Sequence, residues 1–190
     1  ILVISALLTN LLLGIELITK KELSFPNFMV FVISAFYIVG SLNVLAALPS
    51  ILGAYEPKIV LGFLLIVWTS DSFAYFVGKG LGKTPLFKSV SPKKTIEGFV
   101  GGLIASLVIG WFLYDFLAVF SQIEWMLIAL VTCVTGTLGD LVQSKYKRAA
   151  GVKDSGTWMP GHGGLFDRMD SIIFAAPFVF FTIKIIKYVS

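Results

Sequence analysis

Residues 61–80 read LGFLLIVWTSDSFAYFVGKG. The run is apolar except where Asp71 interrupts it, and a helix needs about 20 predominantly apolar residues to cross a bilayer core. A carboxylate at the bilayer centre costs roughly 2.5–3.5 kcal/mol on insertion scales, so such a residue turns toward protein or a water-filled cavity. The stretch therefore predicts a membrane-crossing helix with one polar face. Trp68, Asp71, Ser72 and Tyr75 follow the i, i+3, i+4, i+7 spacing and share that face. Either they line a cavity, or Asp71 makes a structural hydrogen bond between helices.

The same pattern extends along the chain. Of its 190 residues, 57% are hydrophobic and 14% charged, against about 45–50% and about 25% in soluble domains. The mean hydropathy is +0.91. Apolar stretches at 1–19, 27–51, 59–78, 98–120, 125–142 and 171–188 predict an all-α, polytopic membrane protein of about six spans, forming a single integral membrane domain over 1–190. The second stretch is long enough to tilt, or to break near Gly40 or Pro49, and Pro177 predicts a kink in the sixth. No stretch reads as an alternating strand, which argues against a membrane β-barrel. Ile1 opens an apolar run with no basic segment before it, so the start does not read as a signal peptide. The natural chain is expected to begin upstream. Cys133, the single cysteine, lies in an apolar run and reads as helix packing.

Orientation follows from lysine and arginine. Twelve of the 15 fall in three loops, 20–26, 79–97 and 143–170, which share one side in a six-span arrangement. Lys58, Lys184 and Lys187 lie on the other. The three loops are predicted to be cytoplasmic. A basic face of this kind suits anionic lipid headgroups and also a soluble polyphosphate.

Gly78, Gly80 and Gly82 in GKGLGK either admit phosphate to the backbone or end the third helix. No strand precedes them, so a dinucleotide-binding fold is excluded. In SPKKTIEG, Pro92 breaks the chain, and Lys93, Lys94, Thr95 and Glu97 stand at the start of the fourth helix. Lysines beside a helix N-terminus suit an anion; a solvated basic loop is the alternative. Gly98, Gly102, Ser106 and Gly110 form a small-residue stripe, suited to close packing within the chain or to a homodimer contact. Asp140 closes the fifth span, where it either serves the site or pairs with Lys145 or Lys147. Asp115, near the outer end of its span, reads as isolated.

The densest polar stretch is residues 144–170, SKYKRAAGVKDSGTWMPGHGGLFDRMD. Lys145, Lys147, Arg148, Lys153 and Arg168 can offset phosphate charge, and Asp154, Asp167 and Asp170 are hard oxygen donors of the kind magnesium takes together with substrate phosphates. Gly161, Gly163 and Gly164 leave room around His162, the only histidine. One histidine and one distant cysteine do not make a zinc site. The combination points to phosphoryl or nucleotidyl transfer at a membrane surface.

Ser144, Lys147, Arg148, Lys153, Asp154, His162, Gly163, Gly164, Asp167, Arg168 and Asp170 fit Ser-x-x-Lys-Arg, Lys-Asp and His-Gly-Gly-x-x-Asp-Arg-x-Asp. This pattern resembles the signature of the phosphatidate cytidylyltransferases, also called CDP-diacylglycerol synthases. The stretches DSFAYFVGKGLGK and SPKKTIEG resemble companion motifs of that family, and the likeness spans roughly 60 to 175. The resemblance implies a catalytic region at 59–175 that transfers CMP from CTP to phosphatidate and releases pyrophosphate. It implies Asp140 and Asp167 as magnesium ligands, with room for a second cation at the same carboxylates. Asp71 and Asp170 are alternates. Lys93, Lys94, Lys147, Arg148 and Arg168 are expected to bind phosphate, with His162 as a hydrogen-bond donor to it. Tyr75, Thr95, Glu97, Lys153 and Asp154 complete the expected substrate contacts. Partners are CTP, phosphatidate and membrane lipid, with no nucleic acid. The expected location is the inner (plasma) membrane, multi-pass, with the site on the cytoplasmic side. Family members carry additional N-terminal helices. A CTP-dependent lipid kinase is the near alternative, and an ion-coupled transporter using Asp71 and Asp140 the distant one.

Overall fold

The computed structural model describes residues 2–19, 27–152, 154–156, 164 and 166–189. Lys20, Lys21, Lys153, Gly161, His162 and Gly163 lie outside the described residues. Helix α1 covers Leu2–Thr19 and α2 covers Asn27–Ala35. A π-helical turn at Phe36–Gly40 leads to α3, Ser41–Ala47, and a 3₁₀ turn at Leu48–Ser50. The second span thus breaks at both expected positions: Gly40 ends the π turn and Pro49 sits in the 3₁₀ turn.

Helix α4, Lys58–Leu81, is followed by α5, Ile96–Leu117, α6, Gln122–Ala149, and α7, Phe166–Val189. Six segments are long and apolar enough to cross a membrane, so the chain is a multi-pass membrane protein. Pro177 lies buried inside α7. Helix α4 packs along α5, α5 along α6, and α6 along α7, with α1 and α3 closing the far side. Phe63, Ile66, Trp125, Ile128, Ala176 and Val179 are central to the largest core cluster.

Several expectations need correction. Residues 79–97 are not plain loop: α4 runs to Leu81, and β1, Pro85–Phe87, pairs antiparallel with β2, Ser91–Thr95. These strands are too short and too polar to show alternation in the sequence. Residues 143–170 are partly helical, because α6 continues to Ala149. Asp140 therefore lies nine residues inside the helix rather than at its end. Helix α5 stops at Leu117, where Ala118 takes a left-handed conformation, φ 52°.

The small-residue stripe is consumed within the chain. Gly98, Gly102, Ser106 and Gly110 are all buried. A Cβ on Gly98 would come within 2.7 Å of the Ala74 carbonyl, and one on Gly102 within 2.8 Å of that of Ser70. Gly110 likewise sits 3.0 Å from the Trp125 carbonyl on the same measure. The stripe seats α4 and α6 and is not open to a second copy.

Candidate active site

The C-terminal end of α4, the β-hairpin, the N-terminus of α5, the second half of α6 and the start of α7 meet at one end of the bundle. A cavity of about 480 Å³ opens there, lined among others by Asp71, Tyr75, Lys79, Lys93, Lys94 and Thr95. Asp71 and Tyr75 thus face a cavity, as the sequence suggests. Trp68 and Ser72, expected on the same wall, are exposed elsewhere on α4; Ala74 and Gly78 take their places. Lys79 stands with its ammonium 5.8 Å from the centre of the Tyr75 ring.

The hairpin carries Lys93 and Lys94 to the α5 N-terminus. Thr95 caps that helix, its hydroxyl accepting from the Gly98 amide at 3.1 Å. Gly78 lacks a Cβ where Thr95 Oγ1 would lie 3.1 Å away, and Gly82 ends α4 against the same threonine. Gly78 and Gly82 of GKGLGK therefore join α4 to the hairpin, while a Cβ on Gly80 meets nothing within 4 Å. Glu97 is engaged with backbone: its carboxylate accepts from the Lys83 amide at 3.1 Å and from the Thr84 amide at 3.1 Å. It ties down the hairpin base and does not line the cavity.

Lys94 crosses to α6 and forms an ion pair with Asp140. The two partners expected for Asp140 are used elsewhere: Lys145 pairs with Glu16 at 2.9 Å and Lys147 with Asp167 at 2.7 Å. Asp71 and Asp170 lie within electrostatic range of Lys94, of Asp140 and of each other. Lys94 is thus paired with one carboxylate, with two more in its electrostatic surroundings. Asp170 is buried. It reaches this group because Gly139 lets α7 approach, a Cβ there falling 2.8 Å from the Asp170 carbonyl.

A polar stripe on α6 extends the site. Thr137, Asp140, Ser144 and Lys147 recur at helical spacing on one face. Thr137 lines the cavity, and Ser144 donates to Asp140 at 3.2 Å. At the stripe's end, Asp167 accepts from Lys147 and from the backbone amides of Ser155 at 2.8 Å and Gly164 at 2.9 Å. Gly164 is closely packed here, a Cβ falling 2.5 Å from the Ser155 hydroxyl and 3.0 Å from the Gly156 amide nitrogen. Arg148, Asp154 and Arg168 are exposed around this second group. Arg148 donates to the Val152 carbonyl at 3.4 Å. Asp115 is exposed at the opposite end of the bundle.

The expected residues therefore fall into two groups joined by α6: the cavity group around Lys94, and the loop group around Asp167. Sequence reasoning missed Lys79 and Thr137 as site residues; Thr137 was within reach, by counting three residues back from Asp140. It also missed Glu16, a carboxylate inside the first apolar run that the rule applied to Asp71 would have flagged.

A bundle of membrane-crossing helices with lysines, a helix N-terminus and Asp71 around a cavity at one end is an integral membrane protein with a charged site at that end. The comparisons narrow this class. The model of the cytidylyltransferase family matches residues 1–186, and the chain belongs to that family. It is 38% identical over 177 residues to a phosphatidate cytidylyltransferase of Bacillus subtilis (strain 168), covering 92% of this chain and 65% of the relative. It is 48% identical over 120 residues to one of Staphylococcus aureus (strain COL), covering 62% of this chain and 46% of the relative. The chain thus spans between about half and two thirds of the length of these relatives.

Proposed function

We propose that this chain forms the catalytic part of an enzyme that transfers CMP from CTP to phosphatidate, giving CDP-diacylglycerol and pyrophosphate for phospholipid synthesis. The observation that carries the reading is the Lys94–Asp140 pair. It sits between a cavity that presents Lys79, Lys93 and an α5 N-terminus, and an α6 stripe that ends at Lys147. Both reactants are anions, and the site offers cations on both sides of one carboxylate cluster.

A phosphate monoester has a second pKa near 6, so the lipid phosphate is mostly dianionic at pH 7. Its oxygen attacks the α-phosphorus of CTP, a P–O bond forms, and the bond to the β-phosphate's bridging oxygen breaks. The pair of electrons leaves with pyrophosphate. No strong base is needed. The obstacle is repulsion between the two anions, and fixed positive groups lower it. Lys79, Lys93 and Lys94 hold the triphosphate, and Lys147 with Arg148 and Arg168 holds the lipid phosphate. Tyr75 bounds the cavity beside them.

Among the described residues, no three His, Cys, Asp or Glu side chains are gathered tightly enough to hold a metal ion alone. Magnesium does not require that, since it commonly takes one or two carboxylates with phosphates and waters. Asp140 and Asp167 each hold a lysine ammonium in separate groups, so carboxylates suited to a cation are present, and one shared ion would have to draw the loop group in toward α6. We assign these two as its ligands, with Asp170 the adjacent carboxylate. When bound, the ion supplies charge neutralisation to the reacting phosphates. Lys94 and Lys147 are then free to turn to phosphate oxygens.

The basic end faces the cytoplasm of the cell's inner membrane, on the charge asymmetry of the loops. The test is turnover of labelled CTP with phosphatidate, scored for labelled lipid and for pyrophosphate. Labelled lipid with pyrophosphate is expected. Release of CDP with no cytidine in the lipid assigns a lipid kinase instead.

A further inference from the structure

A second cavity, of about 270 Å³, lies between α1, α2 with its π turn, α6 and the start of α7. Its wall on α6 is Val142, Gln143 and Tyr146. At about 100° per residue Val142 and Tyr146 point away from the Asp140–Ser144–Lys147 stripe, with Gln143 between the two faces. Leu13, Ile33, Ile38 and Phe166 make the lining mostly apolar.

Three polar side chains of the lining are more than nine-tenths buried: Glu16, Tyr37 and Gln143. Glu16 is satisfied by Lys145 at 2.9 Å and by the Tyr146 hydroxyl at 2.7 Å. Tyr37 Oη and Gln143 Oε1 have no hydrogen-bond partner. Buried polar atoms are almost always paired, and an exception calls for an explanation. Neither can simply turn away, and both atoms are enclosed in the cavity wall, so a ligand reaches them only by parting it. The Tyr37 ring packs edge-on against Phe166 and Phe174, with centroids 6.3 and 6.5 Å away. The Gln143 amide nitrogen donates to the Phe166 carbonyl at 3.1 Å, which fixes where its oxygen points.

Resting on the phosphatidate reading above, we propose that this cavity seats the uncharged glycerol-ester neck of the lipid substrate, with the Tyr37 hydroxyl donating to an ester carbonyl. Position supports it. Gln143 and Tyr146 precede Lys147 by one turn and by one residue, and Phe166 precedes Asp167, so a neck held here leaves its phosphate beside the Lys147–Asp167 pair. Charge supports it too. The Glu16 charge is offset by Lys145 at 2.9 Å, Gln143 Oε1 is an uncharged acceptor, and the described lining carries no lysine or arginine, so the phosphate turns to Lys147. The Gln143 oxygen is left for a water bridging to the second ester. Entry is lateral: Ser34, at the cavity's edge, is exposed within an apolar span. The nucleotide and the lipid would then approach the carboxylates from opposite sides of α6.

The experiment compares diacyl phosphatidate with its dialkyl ether analogue, which lacks both carbonyls. Direct binding of each lipid without CTP, and KM for each with CTP, are measured for the parent chain and Tyr37→Phe in lipid nanodiscs. The parent should favour the ester by about five- to tenfold, the worth of one hydrogen bond. Tyr37→Phe should erase that preference while leaving KM for CTP unchanged. A rim variant, Ser34→Trp, should weaken binding of both lipids without touching CTP. An ester preference that survives in Tyr37→Phe, or unaltered lipid binding in Ser34→Trp, overturns the proposal. These outcomes are read in binding as well as turnover. Absence of CDP-diacylglycerol formation in the parent would instead fail the activity itself.

Discussion

Lys94, carried on β2, pairs with Asp140 in the middle of α6, while Lys147, two helical turns further along α6, holds Asp167 at 2.7 Å. A hairpin, one helix and the start of the next are thereby fastened through two lysine–carboxylate pairs that alternate in direction. The arrangement separates the tasks of neighbouring lysines. Lys93 is exposed and lines the cavity, whereas Lys94 is partly buried and bound to a carboxylate.

Lys93→Gln should therefore raise KM for CTP by roughly tenfold with kcat nearly intact, the loss of one charge-assisted contact. Lys94→Gln should lower kcat as well, because it leaves Asp140 without its cation. KM for phosphatidate should stay within about twofold in the first variant. The CTP affinity of the parent should weaken with added salt, as expected for exposed charges. Steady-state kinetics over a salt series checks both. Unchanged KM for CTP in Lys93→Gln would assign that lysine to the lipid surface.

The α5 stripe gives a stability prediction with an internal control. Gly102→Ala places a methyl 2.8 Å from the Ser70 carbonyl and 3.1 Å from the Ala74 methyl. Such overpacking costs about 1–3 kcal/mol, so thermal unfolding in detergent should shift down by several degrees. Gly80→Ala meets nothing within 4 Å and replaces a poor helix former, worth about 0.8–1 kcal/mol in a helix interior. That variant should be neutral or slightly stabilised. A reversed order would mean the α4–α5 contact differs from the one described.

These glycines show what was legible in the sequence. The spacing of Gly98, Gly102, Ser106 and Gly110 announced a close helix contact but not its partner, because a small residue records only that something approaches. Hydropathy located all six spans, and the break in the second, since membrane solvation acts on every residue in the run. It ended α6 early at 142, because Lys145, Lys147 and Arg148 lower hydropathy without breaking a helix; the helix stops only near Gly151, at φ 70°. The basic character of this end of the bundle followed from Lys93, Lys94 and the 144–170 stretch. The pairing of Lys94 with Asp140 did not, since 46 residues separate them and only the hairpin brings them together. Glu16 and Tyr37 were invisible as neighbours of Gln143 for the same reason.

Single cysteines test the topology. Ser89 on the hairpin turn and Ser155 before α7 are both exposed at the end that bears the cavity. Introduced in a Cys133→Ala background, both should react with impermeant reagents only after the cytoplasmic side is opened. Labelling of either in intact cells would reverse the orientation and the route by which CTP arrives.

The two carboxylates that hold lysines are the most exposed assignment. If Asp140 and Asp167 share one magnesium ion, each is needed for the same event, and residues that act as a unit have non-additive effects. Asp140→Asn and Asp167→Asn should each reduce turnover on the order of a hundred- to thousandfold. The double variant should be barely worse than the poorer single. Asp167 has a second task that complicates the reading: it accepts from the Ser155 and Gly164 amides, and asparagine keeps only part of that. Magnesium titration separates the two. Loss of the ligand should raise the magnesium concentration needed for half-maximal turnover, while a loosened loop alone should lower turnover at every concentration alike. Asp170→Asn is the comparison, because Asp170 lies in range of Asp140 without holding a lysine. A raised magnesium requirement in Asp140→Asn and Asp170→Asn, with an unchanged one in Asp167→Asn, would move the second ligand from Asp167 to Asp170. Fully multiplicative losses in the Asp140/Asp167 double variant would rule out a shared ion.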